Sequence, residues 1–227
     1  MTKMIRITLA EQAYHELRAR ILSGRLPGGT RLLPGELAVD LGISATPIKE
    51  ACAKLEADGL VVSSSRRGMA VRQLTAADVT ELYNARILLE KAALERAIAM
   101  GAITQELLAN LADSLERHGL FARGGTLDDL SSALSHDRDF HRQLVAAAGI
   151  DMVSDWHARI VSQTHTVFVS IPGNYERSVQ EHQDVLAALE GRTKKAAIVA
   201  LERHLRRSLE NTLVQVRELE LKQVHED

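Results

Sequence analysis

Asp137 and His141 stand four residues apart in the run Ser135–His136–Asp137–Arg138–Asp139–Phe140–His141, and His182 and His204 follow further along the chain. In a helix, positions four apart share a face. A carboxylate and an imidazole on one helix, joined by an imidazole from each of two others, make an N/O donor set suited to a divalent transition ion. The same residues also have plainer readings. Asp137 and His141 fit a solvent-facing helix pair worth about 0.2–0.5 kcal/mol. His182 lies near Val185, Leu186 and Leu189, and His204 lies among Leu201, Leu205 and Leu209, so each fits a core or boundary histidine.

The elements that must position these side chains are helical. Only 3% of residues are aromatic while 45% are hydrophobic, so Leu, Ala, Ile and Val must fill the core. That composition suits packed helices. No run approaches the roughly 20 apolar residues of a membrane span. The first residues lack the apolar stretch of a signal peptide. The single cysteine, Cys52, excludes an internal disulfide, so a cytoplasmic protein is expected. The net charge of −2 conceals an asymmetry: residues 1–75 carry 11 Lys/Arg against 7 Asp/Glu, and residues 76–227 carry 17 against 23. A basic head on an acidic body fits a head that meets phosphate.

The head reads as three helices and a hairpin. Ala13, Leu17, Ile21 and Leu22 share one face of a helix over 10–23, which Gly24 and Pro27-Gly28-Gly29 end. Pro34 to Leu41 predicts a short second helix, buried through Leu37 and Leu41 and closed by Gly42 in the left-handed region. Ala45 to Asp58 predicts a third, with Ser44 or Thr46 as N-cap and Pro47 in the first turn. Strands at 60–63 and 69–72 flank the tip Ser64-Ser65-Arg66-Arg67-Gly68. This order is that of a winged helix-turn-helix, whose third helix enters the major groove while the basic tip meets backbone or minor groove. Beyond Thr75 the pattern predicts six helices, roughly 76–100, 104–121, 126–148, 151–169, 174–190 and 193–221. Most are separated by breakers such as Gly101, Gly149 and Pro172-Gly173. The fold class is mainly α: a winged head over 1–75 and a six-helix bundle over 76–227.

The chain resembles the GntR family of bacterial transcription regulators, in its FadR subfamily with an FCD effector domain. The head carries the resemblance in Ile21-Leu22-Ser23-Gly24-Arg25-Leu26-Pro27-Gly28, Leu37-Ala38-Val39-Asp40-Leu41-Gly42-Ile43-Ser44, Thr46-Pro47-Ile48-Lys49-Glu50-Ala51 and Leu55-Glu56-Ala57-Asp58-Gly59-Leu60-Val61. The bundle carries it in Leu82-Tyr83-Asn84-Ala85-Arg86-Ile87-Leu88-Leu89-Glu90, Asp137-Arg138-Asp139-Phe140-His141, Glu181-His182 and His204-Leu205. Six helices rather than seven resemble the VanR-like group.

The resemblance implies that Asp137, His141, His182 and His204 hold a divalent metal ion, Zn²⁺ first, with Ni²⁺ or Mn²⁺ as alternatives. It implies that Arg86 faces the effector pocket, where the plainer reading is a surface salt bridge to Glu90. The remaining histidines, His15, His118, His136, His157, His165 and His225, have no such match and are expected at the surface or its boundary, His165 alone being able to reach the pocket. Thr46, Lys49, Arg66, Arg67 and Gly68 are the implied DNA contacts. Gly35, Ala45 and Lys49 stand where members commonly have arginine, which removes guanidinium forks and implies a different operator or weaker DNA binding. Ile150 stands where members often have asparagine. The implied function is a homodimeric regulator, commonly a repressor. It would read an inverted-repeat DNA operator and be controlled by a small carboxylate effector bound at the metal. A metal-dependent enzyme acting on a small carboxylate is the alternative, and a sensor of metal alone is a third reading.

Overall fold

The structure is a computed structural model that describes residues 7–64, 68–169, 175–191 and 193–224. The chain divides into two units, Met1–Gln73 and Leu74–Asp227.

The first unit opens with α1 (Leu9–Leu22), whose N-terminus is capped by Thr8 accepting from the Glu11 amide. Next come α2 (Pro34–Leu41) and α3 (Ala45–Ala57). Gly42, at φ 66°, ends α2 in the left-handed region, where a Cβ would be strained. Strands β1 (Val61–Ser64) and β2 (Gly68–Val71) pair antiparallel, Val61 opposite Val71 and Ser64 opposite Gly68. Leu17, Ile21, Leu32, Ile48, Cys52, Leu55 and Leu60 form the core. This is the winged helix-turn-helix.

Two local expectations change. Ala38 is the buried residue of α2, and Leu37 and Leu41 are only half-buried. Ser44 occupies the N-cap of α3 but makes no side-chain capping bond. Thr46, Lys49 and Glu50 are exposed on one face of α3. Gly68 is exposed at the start of β2, whereas Arg66 and Arg67 lie outside the described residues.

The second unit holds six helices among the described residues: α4 (Ala76–Ala99), α5 (Gln105–Ala122), α6 (Leu127–Ala146), α7 (Asp151–Phe168), α8 (Tyr175–Glu190) and α9 (Lys194–Val224). Local sequence fixes several starts. Thr75 with Asp78, and Thr126 with Asp129, form reciprocal capping boxes. Ile150 at the N-cap of α7 has no acceptor to offer, and no side-chain cap forms there. Leu94, Leu111, Leu144, Val185, Leu201 and Leu205 bring α4, α5, α6, α8 and α9 into one core. Val79, Tyr83, Val167 and Val216 bind α4, α7 and α9 in another. No helix of the described residues is long and apolar enough to cross a membrane.

Leu201 is fully buried and Val199, two residues away on α9, is exposed. Leu201→Ala should cost about 2–5 kcal/mol through lost transfer energy and a residual cavity. Val199→Ala should stay within about 0.5 kcal/mol. Urea unfolding of the two variants checks the assignment of faces, and equal losses would contradict it.

Candidate metal centre

Four donors from three helices meet inside the second unit. Asp137 and His141 come from α6, His182 from α8 and His204 from α9. One donor atom from each lies within 4.8 Å of the others, and all four residues are buried. The solvent-facing reading of Asp137 and His141 is therefore set aside. His182 Nε2 stands 3.0 Å from His141 Nε2 and 3.6 Å from Asp137 Oδ1. The amphipathic pattern explains the convergence: Val185, Leu186 and Leu189 on α8, and Leu201 and Leu205 on α9, turn the same faces inward.

Buried carboxylates fix the outer nitrogens of two imidazoles. His141 Nδ1 donates to Glu90 Oε2 at 2.6 Å, and His204 Nδ1 donates to Glu181 Oε2 at 3.1 Å. A neutral ring protonated at Nδ1 presents its Nε2 lone pair, so both rings offer a ligand atom. Carboxylate–histidine pairs of this kind set tautomer and orientation at metal sites. Burial, opposed by Glu90, lowers the pKa of His141. Burial and the neighbouring His204 hold His182 well below the ordinary histidine value. Both rings thus stay neutral, as a ligand must. Burial opposes ionisation of Asp137, but His165, His182 and His141 outweigh it and keep the carboxyl well below its usual range. One anion and converging neutral imidazoles, backed by carboxylates, fit a divalent cation.

Glu90, on α4, ties this cluster to Arg86. Its Oε1 accepts from Arg86 Nε at 2.9 Å and from His157 Nε2 at 3.0 Å. Burial opposes its charge, while His141 and Arg86 more than compensate and hold it well below the usual carboxylate range. The Arg86–Glu90 pair, the plainer reading of Arg86, is present but buried rather than at the surface, and Arg86 is only 2% exposed. Both readings of Arg86 meet here, because it also lines a cavity of about 330 Å³ with Asp137, His204, Tyr83 and Thr212. Its Nη2 has no hydrogen-bond partner among the described residues.

Three other histidines need correction. His118, His157 and His165 are buried, not at the surface or its boundary, because each finds a polar partner inside. His118 Nδ1 meets the Ala133 carbonyl at 2.8 Å, His157 donates to Glu90, and His165 Nε2 lies 3.0 Å from Asp137 Oδ2. Burial pushes His165 down to about 4. His15 is exposed and His136 half-buried, as expected, and His225 lies outside the described residues. Glu181 and His157 carry structure that sequence reasoning gave no role, and Glu90 was read only as a surface partner of Arg86. Their signal was register: Arg86 and Glu90 share the face of Tyr83, Ile87 and Leu94.

Residues 9–71 match the model of the bacterial regulatory proteins, gntR family, and residues 81–207 match the FCD domain. The chain belongs to the GntR family. Among curated relatives, a protein of Paenarthrobacter nicotinovorans named "probable D-xylose utilization operon transcriptional repressor" is 30% identical over 89% of this chain and 88% of its own. The helix-turn-helix regulator YdhC of Bacillus subtilis (strain 168) is 29% identical over 82% of this chain and 83% of its own. The repressor RspR of Escherichia coli (strain K12) is 28% identical over 86% and 85%. Among solved structures, a GntR regulator from Rhodococcus sp. RHA1 aligns with a TM-score of 0.78 at 23% identity, over 90% of this chain and 97% of that one, which shows the shared fold. This GntR protein is a DNA-binding transcription regulator, and the enzyme alternative falls with that membership.

The Arg86–Glu90 pair yields a double-variant test. Glu90→Leu should cost about 3–5 kcal/mol in metal-free protein, because Arg86 keeps a buried charge with no counter-ion. Adding Arg86→Met should restore at least about 1 kcal/mol, since no charge is then stranded. Denaturant midpoints read both, and a double variant no more stable than the single would show that Glu90 does not neutralise Arg86.

Proposed function

We propose that this GntR regulator is a homodimeric cytoplasmic repressor whose operator affinity is set by a small carboxylate held at a metal ion. One observation carries the reading: a buried cluster of three imidazoles and a carboxylate borders the same cavity as a buried arginine whose outer nitrogen is unpartnered. Asp137, His141, His182 and His204 hold the ion, Zn²⁺ before Ni²⁺ or Mn²⁺. When bound, the ion supplies a fixed positive charge that anchors an acid. Arg86 supplies the second anchor, and its planar fork suits a carboxylate better than a point charge would. Relatives named as repressors support the mode of action.

In the head, α3 reads the major groove through Thr46 and Lys49, with Arg66, Arg67 and Gly68 at the wing. Two heads read the halves of an inverted repeat, as two-fold symmetry requires. Lacking arginine at Gly35, Ala45 and Lys49, the head depends more on phosphate contacts than on bidentate base recognition. For the acid to release DNA, it must bind the state incompetent for DNA more tightly.

His182→Ala and His204→Ala, singly and together, should lower the metal retained on purification and lower thermal stability with it, since an ion bound only by the native state stabilises by mass action. Native mass spectrometry weighs the ion directly. Full metal stoichiometry in the double variant would refute the ligand assignment.

Operator binding is tested by gel shift on fragments of the protein's own promoter. Affinity should fall steeply with salt. A metal-dependent acid should release the wild-type complex, whereas Arg86→Ala should need roughly 10–100-fold more acid, the loss of a charged hydrogen bond worth about 1.5–3 kcal/mol. Release that is equal in Arg86→Ala, or unaffected by stripping metal, would overturn the two-anchor reading.

A further inference from the structure

The first unit carries seven acidic side chains, from Glu11 to Asp58. Five have partners within it. Glu16 and Asp40 share Arg20, and Glu11 pairs with Lys54 at 3.2 Å. Glu56 accepts from the backbone N–H of Ser63 at 3.0 Å, and Asp58 accepts from the Tyr14 hydroxyl at 2.6 Å. A sixth, Glu36, stands in the first turn of α2, where the helix dipole favours a negative charge. Glu50 has neither support. It lies midway along α3, is exposed, and has no hydrogen-bond or ion-pair partner among the described residues. Lys54, one turn further on, has the spacing of a helical salt bridge with Glu50. Its Nζ instead meets Glu11 and stands 4.4 Å from the centre of the Tyr14 ring.

Position decides what this carboxylate faces. Thr46, Lys49, Glu50 and Ala53 are all exposed, and offsets of three, four and seven residues put them on one helical face. Ile48, Cys52 and Leu55 are buried on the opposite face. The exposed face is the one that a recognition helix turns to the major groove. A bare carboxylate there is repelled by phosphate and meets mostly acceptors: guanine O6 and N7, thymine O4 and adenine N7. The exocyclic amines of cytosine and adenine are the donors on offer. Adenine sets its N7 acceptor beside the N6 amine, which opposes a carboxylate. Cytosine N4 has no acceptor beside it in the groove on its own base.

We propose that Glu50 is a specificity-determining residue that accepts a hydrogen bond from the N4 amine of a cytosine in the operator. This rests on the reading of α3 as the groove helix and adds an acidic reader to Thr46 and Lys49. The same charge rejects sites that lack the cytosine, because the carboxylate would then lose water and gain no donor.

The test selects bound sites from randomised duplexes with the full chain, for wild type, Glu50→Gln, Glu50→Ala and Lys49→Ala. The wild-type site should contain a cytosine whose replacement weakens gel-shift affinity roughly fivefold or more, the scale of one mismatched base pair. Glu50→Gln should move that single position toward adenine, since an amide both accepts from N6 and donates to N7. Glu50→Ala should lose the preference there and keep the rest of the site. Replacing the cytosine by N4-methylcytosine removes the groove-facing N–H and keeps the base pair. It should weaken wild type by a similar factor of roughly five and leave Glu50→Ala unmoved. Both Glu50 variants should melt at the wild-type temperature, and a lowered one would assign Glu50 to structure and overturn the proposal. If Lys49→Ala changes a position of the site and neither Glu50 variant does, the cytosine contact is overturned while the groove reading of α3 stands. If none of the three variants changes any position, both are overturned.

Discussion

A carboxylate shut away from water must be surrounded by donors, and Glu90 has three: Arg86 Nε, His141 Nδ1 and His157 Nε2. Desolvating one charge costs several kcal/mol, so a lone Glu90 would be protonated or would disrupt the core. The donors come from its own helix, from α6 and from α7. Satisfying one side chain therefore fixes how three helices meet. It also fixes two groups on which the site depends, a ring that offers Nε2 to the cluster and a guanidinium that borders the cavity. Structural and functional demands fall on one residue, and separate substitutions of Arg86 and His141 will each perturb the other.

Glu181 repeats the device on the far side of the cluster. It accepts from His204 Nδ1 and from Arg207 Nη1, so α8 and α9 are fastened by the same kind of bond that orients a ring. His165 Nε2 lies 3.0 Å from Asp137 Oδ2. His141 and His204 are oriented by carboxylates outside the cluster, while the ring of His182 packs against Phe140 and His204. Arrangements of this type hold donors in place before an ion arrives, which reduces the ordering needed on binding.

Helix positions were readable because their signals are local. Thr75 and Thr126 each precede an aspartate at the third position, and Gly101 and Gly149 stop the helices before them. The four donors were readable as candidates from their types and spacing, and the choice between ligand and core histidine came from the family pattern. What the sequence hid is polar burial. His118, His157 and His165 resemble surface histidines because a helix period reveals which face a residue occupies, not what stands opposite. The plainer reading of Arg86, a surface pair with Glu90 at four-residue spacing, overlooked that the same face also bears Tyr83 and Leu94. A charged pair in register with large apolar residues is the cue that could have marked it as buried.

The last helix has a consequence for the ends of the chain. Halfway along α9, Ser208 and Thr212 border the cavity. Near its end, Glu220 accepts from the backbone N–H of Ala76 at 2.9 Å, and Val216 and Leu219 pack with Leu74, Val79 and Tyr83. The C-terminal turns therefore clasp the segment where the second unit begins. Removing the turns of α9 that carry Val216, Leu219 and Glu220 would not trim a dispensable segment. It would unfasten the start of α4, the stretch of backbone through which the two units are covalently joined.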